Sequence, residues 1–483
     1  MMKKTIFIFL AILTTTLFAG TFRALDNDYD FFKGRLHGNG IVDLIVKDSL
    51  IWAATGYGLN KGVYDPKTDS WKWQNFHEED YIGRGGVSAM AYMDDSTLWI
   101  ATAFDTTIHE DNLPAGSGLS YTRDNGRTWH HVPQPVDSRY VTDYNPTTTV
   151  VQNLVYDIAF VDSTIWIASY GGGLRRSDDM GRTWQVVTTD GIYFSSGDNL
   201  NHRAFSLLSV EDTLWVGTAE GISKSADNGS TWQRFLSKGN DEQTISGNFI
   251  VSLAYQPDAH AVWAATVEAV GNEERRGVSR TVNGGKIWQR LLMDEGIFAH
   301  NFAFNGKEVY IPSDQGVWYR SQDDADWQVI TTLSDPVSGE ALVQEEYYSA
   351  AVQHYNGQDR LWLGSSDGLA TRLLGSANAP WTIIRSYIPV SVRPEPAVYA
   401  YPVPFSPSRH LYVRFEYDEN KSLDEPIKIF DFALNPVKTL GNDQLKPKWD
   451  GKNSSGDTVA SGVYFFKAKV SGKVTWGKIV VIN

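Results

Sequence analysis

The stretch TIWIASYGGGLRRSDDMGRTW, residues 164–184, decides the fold. Its Ile165-Trp166-Ile167-Ala168 run is apolar on both faces, as a strand is when both its faces are covered. A short loop and Gly173-Leu174 open a second strand. Ser177-Asp178-Asp179-Met180-Gly181-Arg182-Thr183-Trp184 then carries turn chemistry: a carboxylate for turn amides, a glycine for positive φ, and an indole to sit beneath the hairpin. The arrangement recurs along the chain. Ile51-Trp52, Leu98-Trp99, Leu214-Trp215, Val262-Trp263 and Leu361-Trp362 match Ile165-Trp166, and Val309-Tyr310 fills the sixth place. Successive spacings are 47, 67, 49, 48, 47 and 52 residues. Gly58-Leu59, Gly118-Leu119, Gly221-Ile222, Gly277-Val278, Gly316-Val317 and Gly368-Leu369 follow in step. A period of this length is one four-stranded propeller blade, in which neighbouring blades supply the two-sided burial. The expectation is an all-β chain: a seven-bladed β-propeller over 21–390, a linker at 391–397, and a small β-sandwich over 398–483.

A polar position keeps the same period. Asp43, Asp157 and Ser206 lie nine residues before a repeat Trp, and Asn301 nine before Tyr310. Ser88, Ser252 and Ser349 align with them once longer hairpins are allowed. All fall on the innermost strand of a blade, beside the channel. Hydrogen bonding between adjacent inner strands is the expected role, since buried polar groups need partners. A ring of ligand contacts is the other reading.

Composition narrows the function classes. The 483 residues hold 43 Lys plus Arg against 57 Asp plus Glu, a net charge of −14, which argues against nucleic-acid and anionic-membrane partners. The 17 Trp, 23 Tyr, 22 Phe and 42 Gly favour short strands and tight turns. The chain has 0 Cys, which removes disulfides, thiolate catalysis, cysteine metal sites and an N-terminal lipidated cysteine. Lys3 and Lys4, an apolar run from Thr5 to Phe18, and Ala19-Gly20 have the layout of a secretory signal peptide over 1–20. The expected location is outside the cytoplasm, secreted or at a bacterial cell surface by way of the periplasm. No membrane insertion is expected after the signal is removed.

The turn motif of 177–184 has further copies at Thr122–Trp129, Ser225–Trp232 and Thr281–Trp288, centred on Asp124, Asp227 and Asn283. These turns resemble the Asp-box of sialidase-type (BNR) propellers. The resemblance implies a structural, not catalytic, role for Asp124, Asp179, Asp227 and Asn283. It also implies, for a true sialidase, an Arg-Ile-Pro segment and an arginine triad. The nearest counterpart, Phe22-Arg23-Ala24-Leu25, lacks the proline, and no arginine trio can be carried over.

No metal spacing occurs among the 10 His, and no phosphate-binding loop, GxSxG elbow or HExxH is present. No cofactor is expected. Asp26, Asp28 and Asp30 alternate as in a calcium loop, but Phe31 and His37 stand where an EF-hand needs Gly and Glu, leaving only a looser Ca²⁺ site open. Candidate ligand contacts come from loops on the face that joins strands two and three of each blade. They are Tyr57, Asp105, Glu110, Tyr170, Glu220, Asp314 and Asp367, with His109, Asp111, Glu273 and Glu274 beside them. The tyrosines would stack on sugars. The insertions 104–117 and 133–150 lengthen this face around the second blade.

After the proline-rich 389–396 the sequence changes character. Tyr401-Pro402-Val403-Pro404-Phe405, Trp449-Asp450-Gly451 and Ala460-Ser461-Gly462-Val463-Tyr464 punctuate short alternating strands. These residues resemble the C-terminal sorting domain of type IX secretion substrates and the related flagellar-hook-capping (FlgD)-type immunoglobulin-like domain. The resemblance implies the secretion machinery as a partner. The function expected from the sequence is a secreted or surface-displayed, non-enzymatic propeller that binds a glycan or protein. The alternative is a secreted glycoside hydrolase, sialidase-like or polysaccharide-active, on the same scaffold.

Overall fold

The computed structural model describes residues 34–483 apart from 143, 145–146, 270–273, 324, 377–378, 387–397, 418–420 and 442–445. The signal segment, Arg23, the Asp26–Asp30 alternation, Glu273 and the linker 391–397 lie outside the described residues. The described chain divides into two compact units. One comprises the chain up to Ile330 together with Glu346–Leu369 and Leu373–Gly375; the other comprises Thr331–Glu345, Ala370–Arg372 and Ser376–Asn483.

Seven four-stranded antiparallel meanders follow one another along the chain, among the described residues. Their innermost strands include Ile41–Lys47, Gly86–Tyr92, Val155–Val161, Ala204–Val210, Phe249–Gln256, Ala303–Asn305 and Tyr347–Tyr355. The ring closes between the last blade and the first: Ser349 Oγ donates to the Ile41 carbonyl at 3.2 Å, and Gln353 Nε2 to that of Asp48 at 2.6 Å. The second strands are the buried ones. Trp52, Trp99, Trp166, Trp263 and Trp362 are fully covered, and Trp215 and Tyr310 nearly so. Trp166 shows how a blade boundary is filled. Its ring meets that of Trp232 edge-on at 6.2 Å, and its Nε1 donates to Asn228 Oδ1 at 3.2 Å.

The Asp turns join the third and fourth strands of their blades, as the motif predicts. Asp179 Oδ1 accepts from Ser177 Oγ at 2.8 Å and from the Thr183 amide at 2.9 Å, while Oδ2 accepts from Thr183 Oγ1 at 2.6 Å. Asp124 and Asp227 repeat this set with Thr122 and Thr128, and with Ser225 and Thr231. Asn283 keeps the Oδ1 half, accepting from Thr281 Oγ1 and the Ile287 amide, both at 3.0 Å. These bonds hold all three carboxyls down at about 2. Gly229 lies at φ +85°, where a Cβ would stand 2.5 Å from the Trp166 ring.

The second unit is a sandwich of a three-stranded and a four-stranded sheet. Phe405, Phe415, Ile427, Trp449, Phe466 and Ile479 form its buried centre. Trp449 Nε1 donates to the Lys452 carbonyl at 2.9 Å. Gly451 sits at φ +73°, and a Cβ there would stand 2.7 Å from Phe405. Residues 331–345, which precede the seventh blade in the chain, pack in this unit. Tyr412 Oη donates to the Leu342 carbonyl at 2.7 Å, and Glu340 pairs with Arg385 and Lys446. Among the described residues no helix is long and apolar enough to cross a membrane.

Candidate functional site

A cavity of about 150 Å³ lies in the channel where the innermost strands of all seven blades converge. Repetition of a backbone irregularity builds it. Six inner strands carry one extra residue against their partner strand, a β-bulge. The extra residues are Val42, Ser88, Tyr156, Phe205, Val251 and Tyr348. Each of them lines the cavity, and Phe298, His300 and Asn301 close the ring from the sixth blade. The bulge turns outward a side chain that regular alternation would bury between blades.

The walls are aromatic. Tyr156 and Phe205 lie 5.1 Å apart by ring centroid, Phe205 and Phe249 4.7 Å, Phe298 and His300 4.9 Å, and His300 and Tyr348 5.4 Å. Six of the seven repeated polar residues, Asp43, Ser88, Asp157, Ser206, Ser252 and Asn301, supply the polar lining. Several also tie blades together, as the sequence suggested. Ser88 Oγ donates to the Val155 carbonyl at 2.7 Å. Asp157 accepts from its neighbour Ile158 at 2.8 Å and, across the blade boundary, from the Leu207 amide at 2.7 Å. Asp43 accepts from the Leu44 amide at 2.8 Å.

Burial dominates the electrostatics here. It lifts the Asp43 carboxyl to about 6, against the pull of backbone amides. It lifts Asp157 to about 7, with the charge of Asp43 adding to the rise. Burial also pushes His300 down to about 4, so its ring is neutral at neutral pH. Two polar atoms on the lining make no hydrogen bond in the protein: Ser206 Oγ, and His300 Nε2, which faces the Glu346 carboxylate at 3.8 Å. Such atoms carry a cost that a bound hydroxyl removes. The site thus holds two mutually repelling buried carboxyls, unsatisfied polar atoms and ring faces. A cavity of this volume holds about one six-membered ring.

None of the seven loop residues singled out from sequence lines this cavity. Tyr57 is half-exposed and stacks on His37 at 5.2 Å. Asp105 and Glu110 are exposed on a long hairpin: residues 104–117 extend the strands Leu98–Ile108 and Asp111–Thr122 instead of forming a loop. The Tyr170 ring lies 6.4 Å from that of Phe205, a lining residue, and under the Arg203 guanidinium. Glu220 pairs with Arg234 at 3.2 Å, and Asp314 accepts from the Phe298 amide at 2.8 Å. Asp367 is buried. Within 133–150, Asp137 forms a buried ion pair with Arg175 at 2.8 Å. Among the described residues no three His, Asp or Glu side chains gather as a metal-holding group.

No family model matches the sequence. A curated relative, a xyloglucanase of Paenibacillus sp, is 27% identical over 262 residues, covering 47% of this chain. The chain spans 25% of that relative's length. Among solved structures, the Niastella koreensis GH74 enzyme aligns with TM-score 0.51 at 13% identity, over 92% of this chain and 73% of that one. An ancestral GH74 enzyme aligns with TM-score 0.53 at 14% identity, over 92% and 62%. The chain shares their fold. It is a β-propeller protein.

Proposed function

We propose that this protein is a secreted, carbohydrate-active propeller of glycoside-hydrolase type, with one sugar ring of a polysaccharide seated in the channel cavity. The observation that carries the reading is the Asp43–Asp157 pair, two buried carboxyls raised to different values in one aromatic-walled cavity. Carboxyls whose environments push their pKa values apart divide into a proton donor and an ionised partner. Burial raises both carboxyls and the charge of Asp43 raises Asp157 further, so Asp157 is the one that holds its proton longer and Asp43 the one that ionises first. Asp157 gives its proton to the departing glycosidic oxygen as the bond to the anomeric carbon breaks. Asp43 supports the positive charge at that carbon, and an attacking water supplies the new hydroxyl while its other proton returns to Asp157. The relative's name and the GH74 neighbours support this class, and the xyloglucanase makes β-glucan chains the first substrates to test. This reading replaces non-enzymatic binding as the leading one.

One observation favours binding without cleavage. Asp157 already accepts two backbone amides, as a strand-bridging residue does. Reducing-end release separates the two readings, because a binding module retains the polysaccharide and releases nothing. The four Asp turns belong to this proposal as Asp-boxes with a structural role. The C-terminal sandwich belongs to it as a sorting module that engages the secretion machinery, supported by its Tyr-Pro-x-Pro-Phe and Trp-Asp-Gly segments.

A further inference from the structure

The outer face of the four-stranded sheet in the C-terminal sandwich has a chemistry that sorting does not require. In Gly462–Val470 and Lys473–Val481, alternate residues enter the core and the others face out. The register sets Lys428, Lys467 and Trp476 in one row across three strands, and Phe430, Phe465 and Lys478 in the next. Trp476 is 50% exposed. The Lys467 ammonium lies 5.8 Å from its ring centroid, and the Phe430 ring 5.4 Å away. The positive charge runs against the trend of the chain. Residues 398–483 hold twelve Lys and Arg against nine Asp and Glu, while the whole chain has 43 against 57.

Three lysines interleaved with three aromatic rings on a regular sheet suit a polyanion with ring faces. Lysine is depleted at protein–protein interfaces, where its compact hydrated charge is costly to bury, yet it serves well as a point charge for exposed anions. Aromatic faces meet sugar rings through apolar contact. Strands about 4.8 Å apart make each three-strand row about 10 Å long, the span of a short run of sugars. We propose that this face binds an acidic polysaccharide, its carboxylates or sulfates on Lys428, Lys467 and Lys478 and its rings on Trp476 and Phe430. The site is separate from the channel cavity and does not rest on the reading of that cavity.

The test is electrophoresis of the full chain through gels carrying polygalacturonate, with dextran as the neutral control. Retardation by polygalacturonate alone, weakening as NaCl is raised, is expected. The charge reversal Lys428→Glu with Lys478→Glu should weaken it on the order of tenfold, roughly the effect of inverting two charges at an exposed site. Trp476→Ala should weaken it while keeping the salt dependence. Each variant is checked by its melting curve; because these side chains are exposed, native melting is expected. No retardation, retardation unchanged by both sets of substitutions, or competition by polyglutamate as effective as by polygalacturonate would overturn the proposal. The last outcome would mean that the face reads acidic protein charge instead of sugar.

Discussion

Two kinds of aspartate in this chain respond to pH in opposite directions. Asp124, Asp179 and Asp227 are held at about 2, below the ordinary carboxylate, by the turn bonds they accept. Their contribution is complete above pH 4 and is lost as pH falls toward 2. Asp179→Ala should therefore lower the melting temperature at pH 7, do so less at pH 2, and leave polysaccharide affinity alone. Lost affinity with unchanged melting would show that the turn serves the ligand. Asp157 behaves the other way. Its folded value, about 7, lies above that of the unfolded chain, so the neutral acid favours folding and that contribution fades as pH rises through 7. Asp157→Asn cannot ionise. Its stability relative to the parent should rise as pH climbs from 4 to 8, measured by denaturant titration at each pH. A flat difference would mean that Asp157 is not buried as described.

At the scale of the strand and blade, the repeat Trp is the main packing unit. Trp166→Ala should cost about 3–5 kcal/mol through the cavity it leaves, read by both fluorescence and calorimetry because a repeat fold need not unfold in two states. Gly229→Ala should destabilise through the same contact, since the added Cβ points into the Trp166 ring at a backbone angle that only glycine adopts easily. A shift in melting under a degree for both would contradict the blade boundary described. Much of this level was legible in sequence. The Trp spacing marks the blades, and the polar position nine residues earlier marks Asp43, Asp157, Ser206 and Asn301. The cavity walls were not legible, for a physical reason. Tyr156, Phe205 and Tyr348 stand next to Asp157, Ser206 and Ser349 of the polar repeat, but in regular alternation an aromatic there belongs between blades. The bulge that redirects it leaves no period in the sequence. The surroundings of Asp314 and Asp367 were not legible for a different reason: charge in a loop does not reveal whether a neighbouring amide or burial has claimed it, as the Phe298 amide does for Asp314 and burial for Asp367.

For the molecule as a whole, the order of segments and the division into units differ. Residues 331–345 belong to the chain between the sixth and seventh blades, yet Ala341 and Val343 pack with Tyr412, and Glu340 pairs with Lys446. A chain ending at Arg393 removes those partners. Its propeller should still fold, with blade Trp fluorescence intact, but 331–345 should become the first site of limited proteolysis. Resistance of this segment equal to that of the full chain would contradict the packing described. In the native host, the same truncation should remain in the periplasm while the full chain reaches the surface or medium. Equal surface delivery of both would remove the sorting role.

The chemistry proposed for the channel carboxyls is hydrolysis of a glycosidic bond. Its most direct measurement is reducing-end release from xyloglucan and other β-glucans by the purified chain, across pH 4–8, beside Asp157→Asn and Asp43→Asn. The parent should release reducing ends with an optimum between the two carboxyl values, near pH 6–7. Each variant should melt as a folded protein and lose on the order of a hundredfold or more of the rate, the usual cost of removing a general acid or its partner. Absence of release by the parent on every glucan, or release undiminished in Asp157→Asn, would contradict the claim.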